Sequence, residues 1–213
     1  MITDYKVIIL FSVLSIISVG ELYSQRPPIT RYAINDDGYI FTSVDEAIKS
    51  DKNVYRLKLT KLSNRDSLPE EIFTLTELRE LTVKGCRLCL LNKNISKLTH
   101  LKYLNLDNNR LVKLPESMCN LLELESLIIS RNMIESLPDS VGKLSSLKSI
   151  DAWDNPLYVL PESISFLRKS LNMIDLRQVP IAKWELEAME KLLPNTVIMI
   201  TNICECENRR EYN

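Results

Sequence analysis

At 213 residues the chain is long enough for one domain with a sizeable core. Its 45% hydrophobic and 26% charged residues exclude a disordered or collagen-like polymer. Lys and Arg number 27 against 28 Asp and Glu, so the basic excess that a phosphate backbone needs is missing and nucleic acid is not expected as a partner.

The first element is an apolar run, Val7 to Val19, reading VIILFSVLSIISV after Lys6. A bilayer span needs about 20 such residues and the apolar part of a signal peptide about 7 to 15, so residues 1–25 are expected to be an export signal. Cleavage suits either Gly20 or the neighbourhood of Ser24 and Gln25, and removal of the leader takes away Asp4, Lys6 and Glu21 to leave a neutral domain. The expected location is therefore secreted, periplasmic or cell-surface. The alternatives are a cytosolic protein and a chain held at a membrane by an uncleaved leader, the only membrane contact expected.

Residues 26–53 form an N-terminal flank. Ser43 followed three residues later by Glu46 has the spacing of a capping box, and Val44, Ala47 and Ile48 supply an apolar stripe. A short helix there would cover the open edge at Val54.

Residues 54–181 are organised by repetition. Aligned apolar positions fall at Val54, Leu78, Leu101, Leu124, Leu147 and Leu171, spaced by 23 or 24 residues, giving about six units. One unit runs Leu101, Leu104, Leu106, Asn109, Leu111, Leu114, Pro115, Met118, Leu121; the next repeats it with Leu124, Leu127, Ile129, Asn132, Ile134, Leu137, Pro138, Val141, Leu144. Leu104 and Leu106 are two apart and share one face of a short strand. Asn109 can satisfy backbone groups where the chain bends away. Pro115 then blocks further strand, and Met118 and Leu121 are three apart, as on one helical face. No unit can bury these positions alone, so units must stack. Residues 182–201 read as a C-terminal cap: a helix over Trp184 to Leu193 with Trp184, Ala188 and Leu192 at helical spacing, then a strand over Thr196 to Ile200. Residues 202–213 read as a polar tail.

These residues resemble the leucine-rich-repeat family, pattern LxxLxLxxNxLxxLPxxIxxLxx, and within it the subgroup carrying a Leu-Pro step, as at Leu114-Pro115, Leu137-Pro138 and Leu160-Pro161. The resemblance implies an α/β solenoid: a right-handed superhelix with a parallel concave sheet, short helical or 3-10 convex segments and terminal caps, its concave face used for protein recognition. Departures are local. Cys86 and Val179 replace the ladder asparagine, Asn92 stands in place of a proline, the proline of Leu68-Pro69 is displaced by one residue, and Ala152 is small for its strand position.

Side chains between the core positions point onto the concave face in columns: Arg56, Glu80, Tyr103, Ser126, Ser149, Met173; then Lys58, Thr82, Asn105, Ile128, Asp151, Asp175; then Thr60, Lys84, Asp107, Ser130, Trp153, Arg177. The face grades from basic to acidic, with aromatic anchors between, the composition of interface hot spots. Tyr103, Asn105, Ile128, Asp151, Trp153 and Arg177 are the candidate partner-binding residues, for a protein partner. The alternative is a solvated face on which Trp153 merely packs over the Ala152 neighbourhood.

An enzyme is not expected. His100 is the single histidine and has no serine or cysteine partner that the sequence places near it; a Gly-rich phosphate loop and HExxH are also missing. No cofactor, metal or small-molecule substrate is expected. Cys86 and Cys89 have CxxC spacing without the second pair a zinc site needs, and the register makes Cys86 a buried core residue. Cys204 and Cys206 are too close in sequence for an unstrained mutual disulfide. Asn94-Ile95-Ser96 matches a glycosylation acceptor, relevant only to a eukaryotic secretory protein.

Overall fold

The computed structural model describes residues 38–62, 66–157, 159–179, 181–201 and, for the backbone, 203–204. The leader expected at 1–25, Pro180 and the tail from residue 205 onward lie outside the described residues.

Helix α1 spans Val44–Lys49, and strands β1 Arg56–Leu59, β2 Glu80–Val83, β3 Tyr103–Asn105, β4 Ser126–Ile128, β5 Ser149–Asp151 and β6 Met173–Asp175 come after it. Strand β7 Ile181–Ala182, helix α2 Lys183–Leu192, strand β8 Val197–Met199 and strand β9 Ile203–Cys204 complete the series. One seven-stranded sheet runs β1-β2-β3-β4-β5-β6-β8, every pair parallel, and β7 pairs with β9 in a small second sheet. The register is that of the repeat, with Leu57↔Leu81, Leu81↔Leu104, Leu104↔Leu127, Leu127↔Ile150 and Ile150↔Ile174.

The aligned apolar positions make the core. Each triplet from Leu78, Leu81, Val83 through Leu171, Ile174, Leu176 is at most 1% exposed, Ala152 included. A fully buried leucine contributes about 1.5 to 3 kcal/mol. On the convex side a residue with extended backbone, Pro69, Asn92, Pro115 or Pro161, starts a 3-10 segment: Glu70–Thr74, Lys93–Lys97, Glu116–Asn120 and Glu162–Leu167 respectively. Asn92 does a proline's work differently, because its side chain accepts Asn94 N–H at 2.8 Å and donates to Glu70 Oε1 at 2.6 Å. A fifth segment, Val141–Lys143, packs so tightly on the next that a Cβ on Gly142 would sit 2.1 Å from Ser163 O.

The ladder asparagines bind neighbouring coils together. Asn109 Oδ1 accepts the N–H groups of Cys86 and Leu88, each at 3.0 Å, while Nδ2 donates to Val83 O and Leu106 O. Asn132 and Asn155 repeat the arrangement one and two units on. Cys86 keeps part of the donor half: its single S–H lies between Leu59 O at 3.5 Å and Lys84 O at 3.6 Å, the carbonyls equivalent to Val83 O and Asp107 O. Just before the ladder position each unit after the first turns through the left-handed region, at Gly85, Asn108, Arg131, Asp154 and Gln178. That bend turns the chain out of the strand.

The caps depart from expectation in four places. Ser43 occupies the N-cap of α1 but its side chain makes no capping bond, and Glu46 instead accepts the Tyr39 hydroxyl at 2.6 Å. The N-terminal edge is extended by Phe41, which bridges Leu57, while Ile48 stays exposed. In α2 the buried face is Glu185, Leu186 and Met189, continued by Leu193, and Trp184 and Ala188 face outward. Leu186, Met189 and Leu193 also have helical spacing, and the helix docks that phase against the preceding convex segment. Finally, the strand within Thr196–Ile200 joins the main sheet as its seventh member, and Ile203–Cys204 is paired with β7 where only tail was expected.

Candidate functional site

The strand register lays out the columns that the sequence implies. Arg56, Glu80, Tyr103, Ser126, Ser149, Met173 and now Val197 stand side by side, as do Lys58, Thr82, Asn105, Ile128, Asp151, Asp175 and now Met199. Adjacent strands are about 4.8 Å apart, so neighbours within a column touch. This contact decides which of them remain accessible.

Of the six candidates, Tyr103, Asn105 and Trp153 are half-buried and open to the concave surface. Ile128, Asp151 and Arg177 are not exposed: 5%, 3% and 5% of their surface is accessible. Cross-strand packing and ion pairing remove them. Arg177 donates from Nε to Asp175 Oδ1 at 3.0 Å and from Nη2 to Oδ2 at 2.7 Å. Burial pulls the Arg177 guanidinium down, yet the bond and charge of Asp175, with the charge of Asp151, leave it above its ordinary value. Asp151 Oδ1 accepts the Trp153 N–H at 3.3 Å and so helps fix the strand end that carries the indole.

Sequence reasoning missed the centre of the face, Asp107. It is 3% exposed and accepts from Arg131 Nε at 2.9 Å, Ser130 Oγ at 3.0 Å and Lys84 Nζ at 3.0 Å, while Arg131 Nη2 binds its second oxygen. Burial raises the Asp107 carboxyl, but the hydrogen bonds and charges of Arg131 and Lys84 outweigh it and hold the group below the usual carboxylate range. Arg131 reaches this position from the left-handed turn, and its guanidinium also lies 5.5 Å from the Trp153 ring centroid. Such a contact contributes about 0.5 to 1 kcal/mol at exposed sites. One arginine therefore links the unit of Asp107 to that of Trp153. The only advance signal was positional: Asp107, Ser130 and Trp153 share a column.

Elsewhere the chemistry is structural. His100 Nδ1 lies 2.9 Å from Glu123 Oε1 in an exposed pair. Among the described residues no cluster of three or more His, Cys, Asp and Glu could hold a metal ion, and no helix is long and apolar enough to cross a membrane. A cleft of about 480 Å³ beside α1, lined by Val44, Ile48, Leu62 and Leu68 among others, lies at the N-terminal end of the solenoid, with Lys61 just past β1 in its wall.

Comparison with known proteins agrees with this geometry. Residues 89–196 match the family described as leucine-rich repeat region, slightly more than half of the chain. No curated protein matches. Among solved structures, an LRR protein of Leptospira interrogans superposes with a TM-score of 0.63 at 25% identity, covering 78% of this chain and 49% of that one. The chain thus spans about half the length of that protein.

Proposed function

The chain belongs to the leucine-rich-repeat family, whose fold is generally a non-enzymatic scaffold for protein interaction, and from that premise we propose that this one is a protein-binding module acting through its concave face, exported or associated with the cell envelope. The observation that carries the reading is the half-open set of Tyr103, Asn105 and Trp153 on the concave face, with Trp153 held against the Arg131–Asp107 pair. Aromatic groups held rigid before a partner arrives lose little entropy on binding. The sheet alone is narrow. Seven strands about 4.8 Å apart give a patch smaller than the roughly 800 Å² per partner of a standard interface, so loops or a second copy add area.

Export rests on the apolar run Val7 to Val19, and the retained-leader alternative is a cytosolic scaffold or signalling regulator. Intact mass of the protein from its source separates the two. Replacement of Trp153 by alanine tests the site: capture of partner from source extract weakens, while unfolding shifts by no more than about 1 kcal/mol, the indole's stacking on Arg131. A large stability loss with unaltered capture reverses the assignment.

A further inference from the structure

We propose that the N-terminal end of the concave face, built from Lys58, Lys61 and Lys84, receives an acidic segment of the protein partner, whose continuation lies over Tyr103 and Trp153. This rests on the reading of the concave face as the binding surface. The acids of that face are already engaged. Glu80 is buried beside Arg56, Asp107 is held by Arg131 and Lys84, and Asp175 is clamped by Arg177. Their charge is answered within the protein, so at the N-terminal end of the face the charge that reaches the surface is lysine, while exposed Asp154 keeps the acidic end at the other side.

Lys58 and Lys61 are exposed and form no ion pair among the described residues. Lys84 pairs with Asp107 yet keeps 52% of its side chain accessible. The Lys84 N–H donates to Leu59 O at 3.3 Å, which seats it beside Thr60 and Lys61, and Lys58 stands one strand from Thr82. The ends of two adjacent strands thus carry three lysines, two of them without an ion-pair partner among the described residues, so an approaching carboxylate meets net positive charge there. From Lys84 to Trp153 is three strand spacings, about 14 Å, the reach of about four or five extended residues. A single segment can therefore place carboxylates on the lysines and an apolar or aromatic group on the half-open set.

The test uses the full chain and a fluorescein-labelled octaglutamate peptide, followed by anisotropy at low and moderate salt. Binding is expected to be salt-sensitive, to fall about tenfold in Lys58→Glu/Lys61→Glu, and to be unchanged in Lys93→Glu/Lys97→Glu on the convex side. Lys58→Gln/Lys61→Gln, with circular dichroism on each variant, guards against misfolding and should weaken binding to a lesser degree. Equal weakening by the convex pair, equal binding of octalysine, or tighter binding of single-stranded DNA or phosphatidylserine vesicles at the same lysines overturns the proposal. The underlying reading fails separately, through partner capture that ignores Trp153→Ala. Loss of charge selectivity with capture still sensitive to Trp153 removes only the acidic partner.

Discussion

Replacing Asn132 by alanine removes a side chain that is 8% exposed and makes four hydrogen bonds. Their fates differ. Leu106 O keeps a bond from Asn109 and Ile129 O keeps one from Asn155, because each strand-end carbonyl is shared by two ladder residues. Ser130 O keeps the N–H of Asn108. The Leu111 N–H, whose bond to Asn132 Oδ1 is 3.1 Å, is the group left stranded. A buried donor without a partner costs about 1 to 3 kcal/mol, and weakening the shared carbonyls adds about 1, so the expected loss is about 2 to 4 kcal/mol.

Cysteine at 132 should fall between, since Cys86 shows that a thiol can supply part of the donor half to the equivalent carbonyls. Aspartate should be worse than alanine, because it sets a carboxylate oxygen against Leu106 O and Ile129 O. Urea unfolding read by circular dichroism and by tryptophan fluorescence measures the series. Separation of the two transitions would show the central coil uncoupling its neighbours, as a one-dimensional array allows. If alanine costs less than about 1 kcal/mol, or no more than alanine at exposed Asn120, the ladder is not what joins the coils.

Gly142→Ala should destabilise by about 1 to 3 kcal/mol, because its Cβ would sit 2.1 Å from a backbone oxygen that cannot swing aside; an unchanged melting temperature refutes the close approach. Asp107 gives a pH signature. Its folded pKa lies below the unfolded value near 3.9, so its contribution is complete above about pH 5 and lost as pH falls through the folded value. Asp107→Asn should flatten that part of the acid limb, and an identical limb in both proteins argues against the network. Cysteine alkylation at pH 8, mapped by mass spectrometry, should modify exposed Cys89 well before buried Cys86 and Cys119. Burial raises the Cys86 thiol; burial and then Glu116, against Lys143, push Cys119 to about 12. Labelling of Cys119 as fast as Cys89 would mean the convex side opens.

The parts legible in the sequence are those fixed by burial at constant period. Leu104, Leu127, Ile150 and Ile174 had to meet because nothing else could cover them, and Asn109 and Asn132 had to serve the backbone because a bend strands its polar groups. Local motifs without that periodic check did worse. The Ser43–Glu46 pair has the spacing of a capping box, yet Tyr39 claims Glu46 from outside the motif. In α2 two helical phases were apolar enough, and the aromatic in one of them misled, since tertiary docking selects the other. The left-handed turn escaped notice because glycine, asparagine, arginine, aspartate and glutamine fill it in successive units, a column with no shared chemistry.

For the candidate site the limit has a different origin. Reading columns treats every outward side chain as available, whereas parallel strands of adjacent coils press equivalent positions together and let opposite charges answer one another across the sheet. Asp107 is drawn inward by Arg131 of the next coil, Asp175 by Arg177 two residues along its own chain, and Ile128 is covered in the same crowding. The paired charges then act as a frame rather than a contact surface. The Arg131 guanidinium, held by Asp107, also lies over the Trp153 indole. Reversing Arg131 would therefore loosen the ring as well as alter the charge a partner meets, whereas reversing Lys58 would act through charge alone.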